Sequence, residues 1–159
     1  MAFENLVYNT AIADGMPSAL ALLIVAQSKH ESDNYTSSVF LSCNNAFGYN
    51  AVSSSCANHS TYQNYPSIIE STHEITAWIK RRLAEGNFPA LNSITTPEQY
   101  ATLLNENGYY TDSIYNYAAG LERWFSDNIS TIAGVSLLGI AIGLGVFYFL
   151  FRKELHIYS

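Results

Sequence analysis

This sequence is poor in charge, and poorest in positive charge: seven Lys and Arg stand against thirteen Asp and Glu in 159 residues, a formal net charge of −6. Through residue 130 the balance is five basic residues (Lys29, Lys80, Arg81, Arg82, Arg123) against twelve acidic ones. Such a surface excludes a nucleic-acid binder, which needs a basic face to displace counterions from phosphates. The one basic run, Lys80-Arg81-Arg82, shares a helical pattern with Glu70, Glu74 and Glu85 and reads as a solvated helix face. Cysteine is limited to Cys43 and Cys56, without a CxxC or a His pair at ligand spacing, so a zinc site is excluded and no metal or cofactor is expected. No Gly-x-Ser-x-Gly segment occurs, and His30, His59 and His73 show no triad pattern, which disfavours a protease or esterase. A signal peptide is not evident either, because the apolar run 19–26 is short, starts late and has no basic segment before it.

One long hydrophobic run is present. From Thr131 to Phe151 there is no charge, and at about 1.5 Å per residue the segment spans roughly the 30 Å of a bilayer core. Trp124 and Phe125 precede it and Arg152-Lys153 follow at once, as interfacial and cytoplasmic flanks do. A buried core helix of this length would need a polar face. Residues 131–151 are therefore expected to form one transmembrane helix, with the preceding domain on the non-cytoplasmic side. Gly139 and Gly143 form a GxxxG pattern that would let two such helices pair, so a homo-oligomer is one reading and ordinary membrane-helix glycines the other. The expected organisation is a soluble domain over 1–125, a linker over 126–130, the membrane helix over 131–151 and a short basic-flanked tail over 152–159.

The soluble part reads as mainly α. A helix starting at Pro17 and running to about Ser32 is apolar nearly all round, as the central helix of a small bundle would be. Residues 33–66, dense in Ser, Asn and Tyr, read as an irregular lobe with a short hairpin at Phe47–Val52. Cys43 and Cys56 lie in this lobe; they are either a loop-closing disulfide, the reading favoured in an oxidising compartment, or two separate thiols. Helical spacing of Ile68, Ile75, Trp78, Ile79 and Leu83 predicts a helix over 67–85, ended by Gly86. A third starts at the Thr96-Pro97 cap and ends before Gly108, and a fourth runs from Asp112 to Phe125.

Glu31 is the residue with chemical promise. It ends the apolar helix where the chain enters the polar lobe, a place where burial disfavours the charged form and equips a carboxyl to act as a general acid. On its own a helix-end Glu is more commonly a surface residue. Its neighbours alter that reading. The segment Ala26-Gln27-Ser28-Lys29-His30-Glu31-Ser32, then Ser37, then Asn45-Ala46-Phe47-Gly48, resembles the core motif of the glucosaminidase family of peptidoglycan hydrolases. Tyr65-Pro-Ser-Ile-Ile-Glu-Ser71 and Gly108-Tyr-Tyr-Thr-Asp-Ser-Ile-Tyr115 resemble two further signatures of that family, in the same order. Together these cover residues 15–125.

The resemblance implies a lysozyme-like fold and cleavage of the glycan backbone between GlcNAc and MurNAc. It implies Glu31 as the catalytic acid and Tyr109 beside it, reaching the reacting sugar or a water. Ser32, Asn45, Phe47, Gly48, Tyr49 and Tyr65 would form the substrate-binding set, Ser32 also fixing the helix end. Asp112 would cap a helix and Tyr115 would pack. Tyr35, Tyr49, Tyr62 and Tyr65 suit either sugar stacking or packing. The chain departs from the family where many members carry a second acid in the lobe, since no Asp or Glu lies between Asp33 and Glu70. A two-carboxylate scheme then lacks a partner, and a one-carboxylate route is expected, by attack of the sugar's N-acetyl group or as in lytic transglycosylases. A catalytically inactive wall-binding protein on the same fold is the competing class. The architecture suits a membrane-containing bacteriophage, with the anchor in the virion inner membrane or host cytoplasmic membrane and the domain facing the wall; a bacterial wall-remodelling enzyme is the alternative.

Overall fold

A computed structural model describes residues 2–132. The expected membrane helix, 131–151, falls almost wholly outside the described residues, as do Gly139, Gly143 and the tail; no helix among the described residues is long and apolar enough to cross a membrane. The described chain is mainly helical, in agreement with a lysozyme-like domain. In order it forms α1 (Phe3–Ala13), α2 (Ser18–Glu31), α3 (Ser38–Cys43), β1 (Ser55–Cys56), β2 (His59–Gln63), α4 (Ile68–Ala84), a 3-10 turn (Leu91–Ser93), α5 (Pro97–Glu106) and α6 (Ile114–Ile132).

α2 is central because its sequence leaves it no polar face. Leu20, Leu23, Ile24, Val25 and Ala26 are fully buried, and α1 and α6 pack along it. α1 is an addition to the expected helices, although Val7, Thr10 and Ala11 mark its buried stripe. It lacks a side-chain cap and is secured by tertiary contacts. At its end the Asp14 carboxylate accepts from Thr76 Oγ1 (2.5 Å) and pairs with His73 Nδ1 (2.8 Å), which fastens α1 to α4. At its start Glu4 meets Lys29 Nζ at 3.5 Å. Lys29 is buried, donates to Asn128 Oδ1 (3.3 Å) and lies over the Trp124 ring, so one cation joins α1, α2 and α6.

Asn128 belongs to the stretch expected as a linker. Residues 126–130 are in fact helical and continue α6, and Asn128 is in the core. Two local expectations hold. Thr96 caps α5 in a full capping box with Gln99 and with Pro97 in the first turn, and Arg81 and Arg82 pair with Glu74 and Glu85 on a solvated face of α4. The cap of α6 is displaced by one residue: Ser113 Oγ accepts from Asn116 N, while Asp112 Oδ1 holds Ser113 N.

The lobe over 33–66 is more ordered than its composition suggests. After Glu31 the chain turns through three successive left-handed residues, Asp33, Asn34 and Tyr35. Ser32 holds this turn: its hydroxyl donates to Ser28 O and accepts from Tyr35 N. α3 follows, capped by Ser37. The hairpin lies at 55–63 rather than at Phe47–Val52; the latter segment instead runs alongside β2, with Asn50 bridging Tyr62. A disulfide joins Cys43 at the end of α3 to Cys56 in β1. The crosslink closes a short loop, so the Cys43→Ala/Cys56→Ala variant should lose about 3 kcal/mol in urea unfolding on the chain-entropy account. An unchanged midpoint would show that the hairpin does not depend on it.

Candidate active site

Glu31 is the last residue of α2, and the reversal after it aims its side chain into a cleft of ≈ 320 Å³ between the helical body and the lobe. Phe47, Gly48, Tyr49, Asn50 and Val52 form the lobe side of this cleft, and Trp78, Gly108, Tyr109 and Tyr110 the helical side. Glu31 is the one carboxylate in this lining. Burial pushes its pKa above the ordinary carboxylate value, against two smaller opposing effects, a hydrogen bond from Tyr117 and the nearby His30. The result is a group able to hold a proton at a pH where a solvated carboxyl has lost it.

The Asn45-Ala46-Phe47-Gly48 turn approaches this carboxyl closely. Gly48 has φ +67°, and a Cβ built on it would lie 3.3 Å from Glu31 Oε2. The turn is made by Asn45, which is buried: its Nδ2 donates to Tyr49 O (2.8 Å) and Gln63 O (3.1 Å), and its Oδ1 accepts from Tyr49 N. Tyr109 fastens the same turn from the helical side, donating its hydroxyl hydrogen to Phe47 O (2.5 Å) while its ring meets Tyr49 and Trp78 edge-on.

The expected site residues thus separate into two groups. Glu31, Phe47, Gly48, Tyr49 and Tyr109 come together around the cleft. Ser32 and Asn45 do not reach it: both are buried, and their polar atoms are engaged with backbone, so they shape the site instead of touching substrate. Tyr65 lies beyond Tyr49 in an adjoining hollow of ≈ 340 Å³ that also holds Gln63 and Glu74 and shares Tyr49, Asn50 and Val52 with the cleft. Tyr35 is a core residue bonded to Ser28, so it is not available for stacking. Asp33 is exposed and bonded to Thr36, away from Glu31.

Tyr117, on α6, is a site residue that the sequence does not single out. It is buried, and its hydroxyl donates to Glu31 Oε1 at 2.5 Å. Its ring is clamped by a parallel stack on Tyr110 (centroids 3.8 Å) and an edge contact with His30 (5.0 Å). Gly120 makes room for the His30 ring, since a Cβ there would come within 2.4 Å of it. His30 is accordingly half-buried, not a free surface residue. Tyr115, expected to pack, is instead 82 % exposed. The helical spacing of Ile114, Tyr117 and Leu121 indicates the buried face of α6; that this face meets the end of α2 is a long-range fact.

A larger hollow of ≈ 560 Å³ between α5 and α6 carries Glu98 and Glu122, but both carboxylates are exposed and it lacks the burial that equips Glu31 for acid chemistry.

The family model for glucosaminidase, described as mannosyl-glycoprotein endo-beta-N-acetylglucosaminidase, matches residues 13–128. That span contains Glu31, the lobe and the Tyr109–Tyr117 wall. No curated protein matches the chain, and no solved structure does. With most of its length covered, from α2 through Asn128 of α6, the chain belongs to the glucosaminidase family and is a glycoside hydrolase of the kind that acts on peptidoglycan.

Proposed function

We propose that this protein cuts the GlcNAc–MurNAc glycan backbone with Glu31 as its single catalytic carboxylate. The observation that carries this is the cleft lining, where one half-buried carboxyl, its pKa raised by desolvation, faces open space with no second acid in the lining. The acid in the adjoining hollow, Glu74, lies beyond Tyr49 and pairs with Arg81. A lone acid suits a reaction in which the substrate supplies its own nucleophile. Glu31 gives its proton to the glycosidic oxygen, the C1–O pair leaves with that oxygen, and the acetamido oxygen of the same sugar bonds to C1. Water then opens the cyclic intermediate, losing a proton to the Glu31 carboxylate and restoring the acid. Tyr49, Trp78 and Tyr109 present aromatic surface to the sugar rings.

The same lone carboxylate accommodates a second outcome, internal attack by the MurNAc 6-hydroxyl with Glu31 as acid and then base, as in a lytic transglycosylase. Fragments released from purified cell walls distinguish them by mass. Reducing GlcNAc ends are expected; anhydro-MurNAc ends would establish the transglycosylase, and reducing MurNAc ends a muramidase. Absence of any clearing in a wall zymogram would leave the inactive wall-binding class.

The uncharged run 131–151 and the basic pair after it support a membrane tether holding the domain against the wall. An acidic domain is not drawn electrostatically to an anionic wall, so a tether supplies the local concentration. Local breach of the wall by a membrane-containing phage is the setting this arrangement suits. Because α6 continues as helix through 126–132, the cleft would be held near the bilayer by a stiff connection. Inserting a flexible Gly/Ser segment after residue 130, ahead of the uncharged run, should change the activity on intact cells but not on purified walls.

A further inference from the structure

Gln27 belongs to the Ala-Gln segment of the sequence motif but does not line the cleft. It is completely buried in α2, one turn before Glu31. Its Oε1 accepts from the Tyr100 hydroxyl at 2.7 Å. Its Nε2 is sealed from solvent and has no hydrogen-bond partner, and among the side chains acting on the Tyr117 hydroxyl Gln27 is the one that favours its ionised form. We infer that Gln27 and Tyr100 are positioning residues that act on Glu31 through Tyr117, and that they determine which carboxyl oxygen carries the transferable proton. The inference rests on Glu31 being the acid.

The order of donors follows from the carboxylate. An ionised Glu31 has only lone pairs, so at 2.5 Å from Oε1 the Tyr117 hydroxyl must donate. Tyr117 Oη is then free to accept, and the inferred link turns the otherwise unpartnered Gln27 N–H toward it rather than the carbonyl. That sets Gln27 Oε1 toward Tyr100, which in turn must donate. Each group has one consistent role, from Tyr100 to Gln27 to Tyr117 to Glu31. If the amide turned over, its carbonyl would compete with Glu31 for the Tyr117 hydrogen. Tyr100, fully buried on α5, opposes this because its hydroxyl hydrogen would lose Oε1 as its acceptor, and the Tyr110 stack stops the Tyr117 ring from swinging away.

The consequence falls on Oε2. With Oε1 permanently occupied by Tyr117, the acid proton resides on Oε2, the oxygen beside Gly48 at the cleft wall. After this proton passes to the leaving oxygen, the new carboxylate is still stabilised at Oε1. The other titratable groups that face Glu31 do not interfere. Tyr109, before α6, gives its hydrogen to Phe47 O, Tyr100 gives its own to Gln27, and His30 on α2 acts on Glu31 electrostatically.

Carbon-13 titration of the Glu31 carboxyl in the full chain tests this, with Glu31→Gln assigning the signal. Tyr117→Phe should move the titration upward by about 1 pH unit, a tenfold change in proton affinity, because a hydrogen bond to the ionised form is lost. Gln27→Leu and Tyr100→Phe should move it upward by less, and neither should move it further once Tyr117 is Phe. On wall glycan the alkaline limb of kcat/KM should shift in the same order, with KM unchanged. If Gln27→Leu and Tyr100→Phe lower Tm but leave the titration in place, or shift it equally in the Tyr117→Phe background, the inference is overturned. Tyr100→Phe removes one hydroxyl and keeps the core ring, which provides the test should Gln27→Leu fold poorly. Coupled titrations in a protein that clears no wall would uphold the relay and instead remove the hydrolase assignment of Glu31.

Discussion

Glu31→Gln is expected to lower kcat/KM on purified cell-wall glycan by about 10³-fold while leaving the helical circular dichroism unchanged. The amide keeps the shape of the carboxyl and can still accept from Tyr117, but it has no proton to give. The same variant should be more stable than the wild type at neutral pH. Burial raises the Glu31 pKa in the folded chain above its unfolded value. Its favourable contribution is therefore complete below the unfolded value and is lost as pH rises through the folded one. At pH 7 the ionised form that the unfolded wild type adopts is poorly accommodated in the fold, a cost the variant lacks, and the advantage should vanish toward pH 4. Urea midpoints measured at both values check this. A variant that retains wild-type turnover would remove Glu31 from the chemistry, whatever its stability.

Gly48→Ala should cost about 1–2 kcal/mol of stability and, separately, about 10²-fold in kcat. The first effect comes from φ +67°, a left-handed conformation that an L side chain tolerates poorly. The second comes from the new Cβ, 3.3 Å from the oxygen assigned the transferable proton. Glu31 cannot yield sideways without leaving Tyr117, so the methyl displaces the reacting carboxyl or narrows the place where the glycosidic oxygen must sit. Gly86→Ala is the control. Gly86 has φ +78°, and a Cβ added there would meet nothing within 4 Å, so it shares the strain without the crowding. Its variant should lose similar stability and no kcat. Equal loss of kcat in both would mean that Gly48 is required for the turn alone.

Much of this molecule is local in origin and readable as such. The all-round apolar run 19–26 can only be a central helix, and the Thr96-Pro97 pair and the 68–83 spacing each mark a helix from within. The candidate acid is legible because a carboxyl ending an apolar helix, followed by an Asn-x-Phe-Gly turn, combines two local signals. α1 buries only Val7, Thr10 and Ala11, a stripe diluted by polar neighbours, and no cap announces it. In the lobe the composition misleads: Ser, Asn and Tyr read as loop, yet Ser37 caps a helix and a disulfide holds a hairpin that lies later than expected.

The environment of Glu31 is decided only in three dimensions. Tyr117 stands 86 residues away and Tyr100 lies on another helix; spacing along α6 separates Tyr117 from the solvent-exposed Tyr115, but nothing in the local pattern says that either buried tyrosine serves Glu31. The same holds for Ser32 and Asn45, polar residues beside a catalytic motif that turn inward to satisfy backbone groups. It holds also for 126–130, whose polar sequence gives no sign that Asn128 is drawn into the core by Lys29. The sequence by itself determined α2, α4, α5 and the first part of α6, and which carboxyl could be an acid, because periodicity, caps and turns depend on neighbours along the chain. The tertiary structure decided what that acid experiences, because desolvation and hydrogen-bond direction are set by groups that only packing brings into contact.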